Sequence, residues 1–214
     1  MPEKILLTHA CFAPVEYFAL INAVPVEIEK YSNYVRQTYR NRYIILGANR
    51  PLTLSVPVEK VKGKKIKDSD IKIAYHTQWQ NNHWHSIVSA YNSSPFFQFY
   101  RDDIEPFFSK KYKFLFDFNI EITNLMIDLL DVDANITFTG EYRTFTGNKE
   151  NDMREVIHPK KNNSPFFKPF TYKQVFDDRH GFVPNLSILD LLFNKGPESQ
   201  FVLKKSTTIK NPKA

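Results

Sequence analysis

The stretch ILLTHACFAPVEYFALINAVPVEIEK, residues 5–30, decides the fold class. Ile5, Leu6 and Leu7 make an apolar run of buried-strand length, and Pro14 stands where the first turn of a helix tolerates a residue without an N–H. The helix is predicted to run to about Ala23, and residues 26–30 alternate apolar and charged side chains at the period of a second strand. A strand, a helix and a strand in such a short span make a β-α-β unit, which favours a parallel pair joined by a right-handed crossover.

Outward from this unit, residues 34–58 read YVRQTYRNRYIILGANRPLTLSVPV. The β-rich runs 43–46 and 52–58 are separated by Gly47, Ala48, Asn49, Arg50 and Pro51, a turn-forming set of hairpin length. Directly before the hairpin stand Arg36, Gln37, Arg40, Asn41 and Arg42. Guanidinium groups offer forked donors that match phosphate and carboxylate, so this cluster is a candidate anion site, with a solvated polar connection as the plain alternative.

Further along, Ile71, Ile73 and Tyr75 alternate and predict another short strand. Helical character follows over 79–92, 104–108 and 114–130, the last with Phe114, Phe118, Ile122, Leu125, Ile127 and Leu129 on one broad core-facing side. Residues 136–139 are a candidate return strand, 145–165 a polar loop expected to be mobile, and 172–176 a further short strand. The closing helix is predicted to begin at or near Asn185, run through Phe193, and stop at Asn194, Lys195, Gly196 and Pro197. The fold class is therefore α/β: a single domain over 1–203 with a mixed, partly parallel sheet and a helical subdomain, followed by a disordered tail over 204–214.

Composition narrows the function classes. With 42% hydrophobic and 15% aromatic residues, 214 residues have ample material for one core. No apolar stretch approaches the roughly 20 residues of a bilayer crossing, and MPEKILLTHA lacks the features of a secretory leader, so a cytoplasmic location is expected. A single cysteine excludes an intrachain disulfide and any zinc site built from several thiolates, and no metal site is expected. The excess of 29 basic over 23 acidic residues lies partly in Lys60, Lys62, Lys64, Lys65 and Lys67 and in the tail. A solvated loop explains those lysines better than the continuous basic and aromatic face that nucleic acid requires. The expected partner is instead a small molecule, anionic or nucleotide-linked. The chain carries no GxGxxG, Walker A, GxSxG, HExxH or CxxC pattern, which sets aside dinucleotide enzymes, P-loop kinases and the common hydrolase and metallopeptidase routes.

Several residues remain for acid, base or anion chemistry. His9 falls where the first strand meets the first helix, and α/β sheets hold ligands just past the carboxyl ends of their strands. Cys11 follows it, as a small buried thiol or as a nucleophile. His83 and His85 flank Trp84 near the head of a helix and, two apart, face different ways, so one of them, His83 first, is a candidate general base. Asn185, Ser187 and Asp190 are polar residues in an otherwise apolar helix; capping accounts for Asn185 and Ser187, and a helix N-terminus is equally an anion site.

Three dispersed segments carry a resemblance: the first third of the chain, HWHSIVSAYNSSPFF (83–97) and FVPNLSILDLLFNKGP (182–197). Together they resemble the WbqC-like protein family. Its N-terminal pattern is kept here by His9, Pro14, Tyr17 and Phe18, while Ala10 and Cys11 depart from it; Asn41 and Arg42 match the motif before the hairpin, and residues 184–194 match the C-terminal one. A segment carried by longer members looks shortened between about residues 140 and 166. The resemblance implies association with bacterial cell-surface polysaccharide biosynthesis and puts Tyr17 among the substrate-binding candidates. The leading expectation is a group transferase acting on an activated sugar or amino sugar, with acyl-CoA or ATP as possible donors. Arg36, Gln37, Arg40, Asn41 and Arg42 would hold the substrate and His9 or His83 would move the proton. The alternatives are an adenylyltransferase or ligase with His9 on the phosphates, and a non-enzymatic adaptor binding through aromatic residues around Phe96–Tyr100 and Phe166–Phe167.

Overall fold

The computed structural model describes residues 3–60, 66–143 and 151–209. The β-α-β unit forms as expected from β1 (Ile5–Thr8), α1 (Val15–Ala23) and β2 (Val26–Glu29), with Ile5 opposite Val26 and Thr8 opposite Glu29 in a parallel ladder. The hairpin is β3 (Arg42–Leu46) and β4 (Pro51–Ser55), antiparallel, its turn closed by Gly47 N donating to Arg50 O at 3.1 Å. Three helices follow, α2 (Trp79–Tyr91), α3 (Phe97–Ile104) and α4 (Leu115–Leu129). β5 (Ile136–Phe138) then pairs in parallel with the free edge of β2, giving the sheet order β1-β2-β5. The one-turn α5 (Asp177–His180) leads to α6 (Ile188–Lys195) and α7 (Ser199–Lys205), both of which pack on α1.

All nine residues of α1 are buried, so this crossover helix is apolar all round rather than along one stripe. The turn between β1 and α1 places Phe12 at the centre of an aromatic cluster, stacked on Phe108 at 5.6 Å and packed against Tyr43, Phe107 and Phe118. Phe12 holds a φ of 37°, a left-handed backbone that a residue without special need avoids. Burial of a ring that size, worth roughly 1.5–3 kcal/mol, offsets the strain of the turn.

Several expectations are corrected. Residues 71–75 form no strand: Ile73 bridges Val58 and Lys72 bridges Phe114 singly, because both flanks of the segment end after one partner. The helix read over 104–108 begins earlier, as α3 on the buried stripe Phe97, Tyr100 and Ile104, and ends in a 3-10 turn at Pro106. Residues 172–176 are irregular, since the Gln174 side chain takes the place of a neighbouring strand, accepting from Val183 N at 2.9 Å and donating to Val183 O at 3.0 Å. The described part of the loop expected to be mobile is anchored: Met153 is buried and its N–H donates to Leu6 O at 2.9 Å, beside β1. Residues 144–150 of that loop and 61–65 of the lysine-rich one lie outside the described residues. The expected tail is held as far as Ile209, through α7 and then through buried Ser206, whose carbonyl accepts from Lys168 N and whose hydroxyl accepts from Phe170 N; residues 210–214 are outside the description.

Candidate functional site

The carboxyl end of β1 delivers His9 into a buried polar cluster assembled from four places in the chain. Asn119, in the middle of α4, donates its amide nitrogen both to His9 Nδ1 and to Arg40 O, each at 2.7 Å. An amide nitrogen only donates, so Nδ1 accepts and the proton of the neutral ring sits on Nε2. That Nε2 faces Asp68 Oδ1 at 3.7 Å, longer than a hydrogen bond. The other Asp68 oxygen accepts from Arg40 Nε at 2.9 Å and from the Ser32 hydroxyl at 2.5 Å. His9, Asp68 and Asn119 are fully buried and Arg40 nearly so. Burial alone would push the Asp68 carboxyl up; the facing His9 ring, the Arg40 guanidinium and the Ser32 hydroxyl outweigh it and hold the group below its ordinary value.

The loop that leaves β2 carries Tyr34 and Arg36. Burial pushes the Tyr34 hydroxyl up to about 12, the Asp68 charge adds to the rise, and Arg40, Arg36 and Arg42 pull it back. The Tyr34 phenol, which stays protonated at neutral pH, therefore lies in the field of three guanidinium groups and one carboxylate. Within this cluster five buried polar atoms have no hydrogen-bond partner among the described residues: His9 Nε2, Asp68 Oδ1, Asn119 Oδ1, Tyr34 Oη and Arg42 Nε. His9 Nε2 and Asp68 Oδ1 face each other, which leaves Asn119 Oδ1, Tyr34 Oη and Arg42 Nε open to a further partner. The segment 158–161 adds positive charge beside it. Lys160 Nζ donates to Gln37 Oε1 at 3.2 Å, and His158 is held below its ordinary value by burial first and then by the charges of Lys161, Lys160 and Arg40, against Glu155.

The other candidates fall elsewhere. Asn41 donates its amide nitrogen to Val56 O at 2.9 Å and so pins the hairpin entry. Tyr17 is buried and its hydroxyl donates to Thr8 O at 3.0 Å, bracing the end of β1 from beneath. His83 lies among Trp79, Tyr43 and Phe108, with Nδ1 bonded to the Tyr43 hydroxyl at 3.0 Å; burial lowers its pKa to about 4, so the ring is neutral at physiological pH. Cys11 is buried, and burial pushes its thiol up, away from a reactive thiolate. Asn185 caps α1 rather than its own helix: its Oδ1 accepts from Glu16 N at 3.0 Å and its amide donates to Glu16 Oε2 at 2.9 Å. Ser187 is the N-cap of α6, and its hydroxyl donates to Phe12 O at 2.8 Å. A cavity of about 240 Å³ beside Asn185 is lined by Tyr39, His158 and Lys161, and His158 feels the Arg40 charge. His9 and Arg40 thus meet at Asp68, and Arg36 and Arg42 share the field of Tyr34 with Arg40, while Tyr17, His83, Asn185 and Ser187 brace other parts of the fold.

The model of the WbqC-like protein family matches residues 11–163 and 161–201. The chain belongs to the WbqC-like protein family. The two matched stretches of this WbqC-like protein meet at 161–163, inside the region that looks shortened in sequence. A curated relative, the uncharacterized protein Rv1507c of Mycobacterium tuberculosis (strain ATCC 25618 / H37Rv), is 25% identical over 94% of this chain and 98% of its own. No solved structure matches the chain. Among the described residues no helix is long and apolar enough to cross a membrane.

Sequence reading missed Asp68, Asn119, Tyr34 and His158. Asp68 lies in a run of alternating charges that reads as a solvated loop. Asn119 carried the one available signal, a polar residue flanked by Phe118 and Ile120 on the core side of an apolar helix.

Proposed function

We propose that this protein is a group transferase whose substrate carries phosphate, an activated sugar or amino sugar. The observation that carries the reading is that Arg36, Arg40 and Arg42 all act on Tyr34, whose buried hydroxyl, like the buried Arg42 Nε, has no hydrogen-bond partner among the described residues. Arg36 and Arg42 hold the phosphate oxygens, Arg40 is fixed in place by Asp68, and the Tyr34 hydroxyl donates a further hydrogen bond. His9 acts on the ligand through Asp68, by keeping that carboxylate ionised and Arg40 oriented. A role in cell-surface polysaccharide biosynthesis, with an acyl group moved to an amino sugar, is what the resemblance to the family suggests for such a site.

The adenylyltransferase reading needs His9 on the phosphates, and a ring so deeply buried does not offer itself there. The adaptor reading needs a flat aromatic face, whereas Phe97, Tyr100 and Phe167 are buried and, of the aromatic residues in 96–100, only Phe99 is largely exposed. The test is a thermal-shift panel of ATP, coenzyme A, acetyl-CoA and nucleotide sugars on wild type and Arg42→Ala, followed by mass spectrometry of donor and acceptor pairs that bind. A native-state ligand raises the melting point by mass action. A shift lost in the variant, with a transferred group in the product, is the expected result. No shift with any compound would defeat the transferase reading.

A further inference from the structure

A second concavity opens at the carboxyl end of the parallel sheet. It is a groove of about 540 Å³ whose lining includes Lys30 and Tyr31 just past β2, Phe138 at the end of β5, and Phe116, Asp117 and Glu121 on α4. That volume lies in the roughly 300–1,000 Å³ range of small-molecule sites, and the place is where α/β sheets hold ligands. Phe116 is shared between the two regions: it lines the groove, and its ring packs edge-on to His9 at 5.1 Å. The loop that starts at Tyr31 in the groove reaches Tyr34 and Arg36 in the arginine cluster within five residues.

The groove differs in chemistry from the cluster. Its floor is the Phe116 and Phe138 pair, 6.1 Å apart, with Phe138 46% exposed. Asp117 and Glu121 are exposed carboxylates in the lining; Glu121 is tied to Lys110 at 3.0 Å and to the Tyr112 hydroxyl, whereas Asp117 has neither. Lys30 lies over the Phe116 ring at 5.6 Å. Lys110 answers Glu121, which leaves Asp117 as the lining carboxylate without an ion pair among the described residues, and the exposed Phe138 ring in the same lining suits a ligand with an apolar face, hydroxyl groups and a positive charge that Asp117 can pair.

We propose that this groove seats an amine-bearing sugar ring, its apolar face on Phe138 and its ammonium toward Asp117. The proposal deepens the transferase reading and rests on it for the phosphate at the other end of the same ligand. The seat itself is testable alone. Free glucosamine, glucose and inorganic pyrophosphate are titrated separately into the isotope-labelled full chain, and backbone amide shifts are followed by NMR. Glucosamine is expected to move the amides of Lys30, Asp117 and Phe138 and to leave Tyr34 and Arg42 in place, while pyrophosphate does the reverse. Phe138→Ala and Asp117→Asn, both exposed positions, are each expected to weaken glucosamine about three-fold, the size of an exposed apolar contact or ion pair, and to leave pyrophosphate unchanged. Groove amides that ignore glucosamine, or variants that bind it as wild type does, overturn the seat. Glucose binding as tightly as glucosamine overturns the assignment of the amine. Silence toward pyrophosphate at Tyr34 and Arg42, with glucosamine still bound, would instead overturn the anion site and spare the groove.

Discussion

His9 has one ring nitrogen committed to Asn119 and the other turned toward Asp68, with no exposure to solvent. A histidine so placed orders its neighbours, and the neighbour that matters is Arg40, buried on the far oxygen of Asp68. Removing one partner of a buried ion pair strands the other, so Asp68→Asn is expected to lose about 3–5 kcal/mol in urea unfolding. A loss below about 1 kcal/mol would mean that Arg40 finds another acceptor. The sign with pH follows from the depressed carboxyl. Its contribution is complete above the ordinary value of 3.8 and disappears as pH falls through the lower folded value, so the variant should unfold with a flatter acid limb in that range. The arginines of this cluster were legible in sequence because they stand together before a hairpin. Asp68 and Asn119 were not, since they reach Arg40 and His9 across 28 and 110 residues and only the fold brings them there.

At the level of elements, the β-α-β opening, the hairpin and the long α4 could be read directly because their periods are local. The errors came where a tertiary partner replaces a local rule. Gln174 substitutes for a strand, Asn185 caps a helix that lies 169 residues earlier, and Met153 docks beside β1 from a polar stretch. Gly196 shows the opposite case, a stop signal whose reason the structure supplies. It ends α6 at a φ of 50°, and a Cβ there would meet the Phe96 ring at 2.5 Å. Gly196→Ala therefore combines an unfavourable backbone with overpacking, and a loss of about 1–3 kcal/mol is expected by chemical denaturation. A neutral result would show that Phe96, which is only partly buried, turns aside without cost.

Across the whole molecule, two buried groups shape stability against pH with opposite sign. His83, depressed to about 4, contributes fully above its ordinary 6.5 and is lost as pH falls through about 4. Asp190 accepts from the Tyr172 hydroxyl and the Gln174 amide at 2.8 Å each, yet burial, the largest cause, raises it to about 6 from 3.8. Its contribution is complete below the ordinary value and is lost as pH rises through about 6. Asp190→Asn should accordingly gain on wild type by on the order of 3 kcal/mol between pH 3.8 and 7.5, read from melting curves across that interval. Parallel curves for the two proteins would contradict the raised carboxyl.

On the transferase reading the three arginines and Tyr34 form a site for phosphate. Its most direct test is calorimetric titration of inorganic pyrophosphate into wild type and Arg42→Ala at low ionic strength, where charge pairing is least screened. Binding by wild type that falls at least about ten-fold in the variant, as the loss of a charge-assisted hydrogen bond requires, is the expected result. Equal affinity in both proteins, or no heat with either, would contradict it.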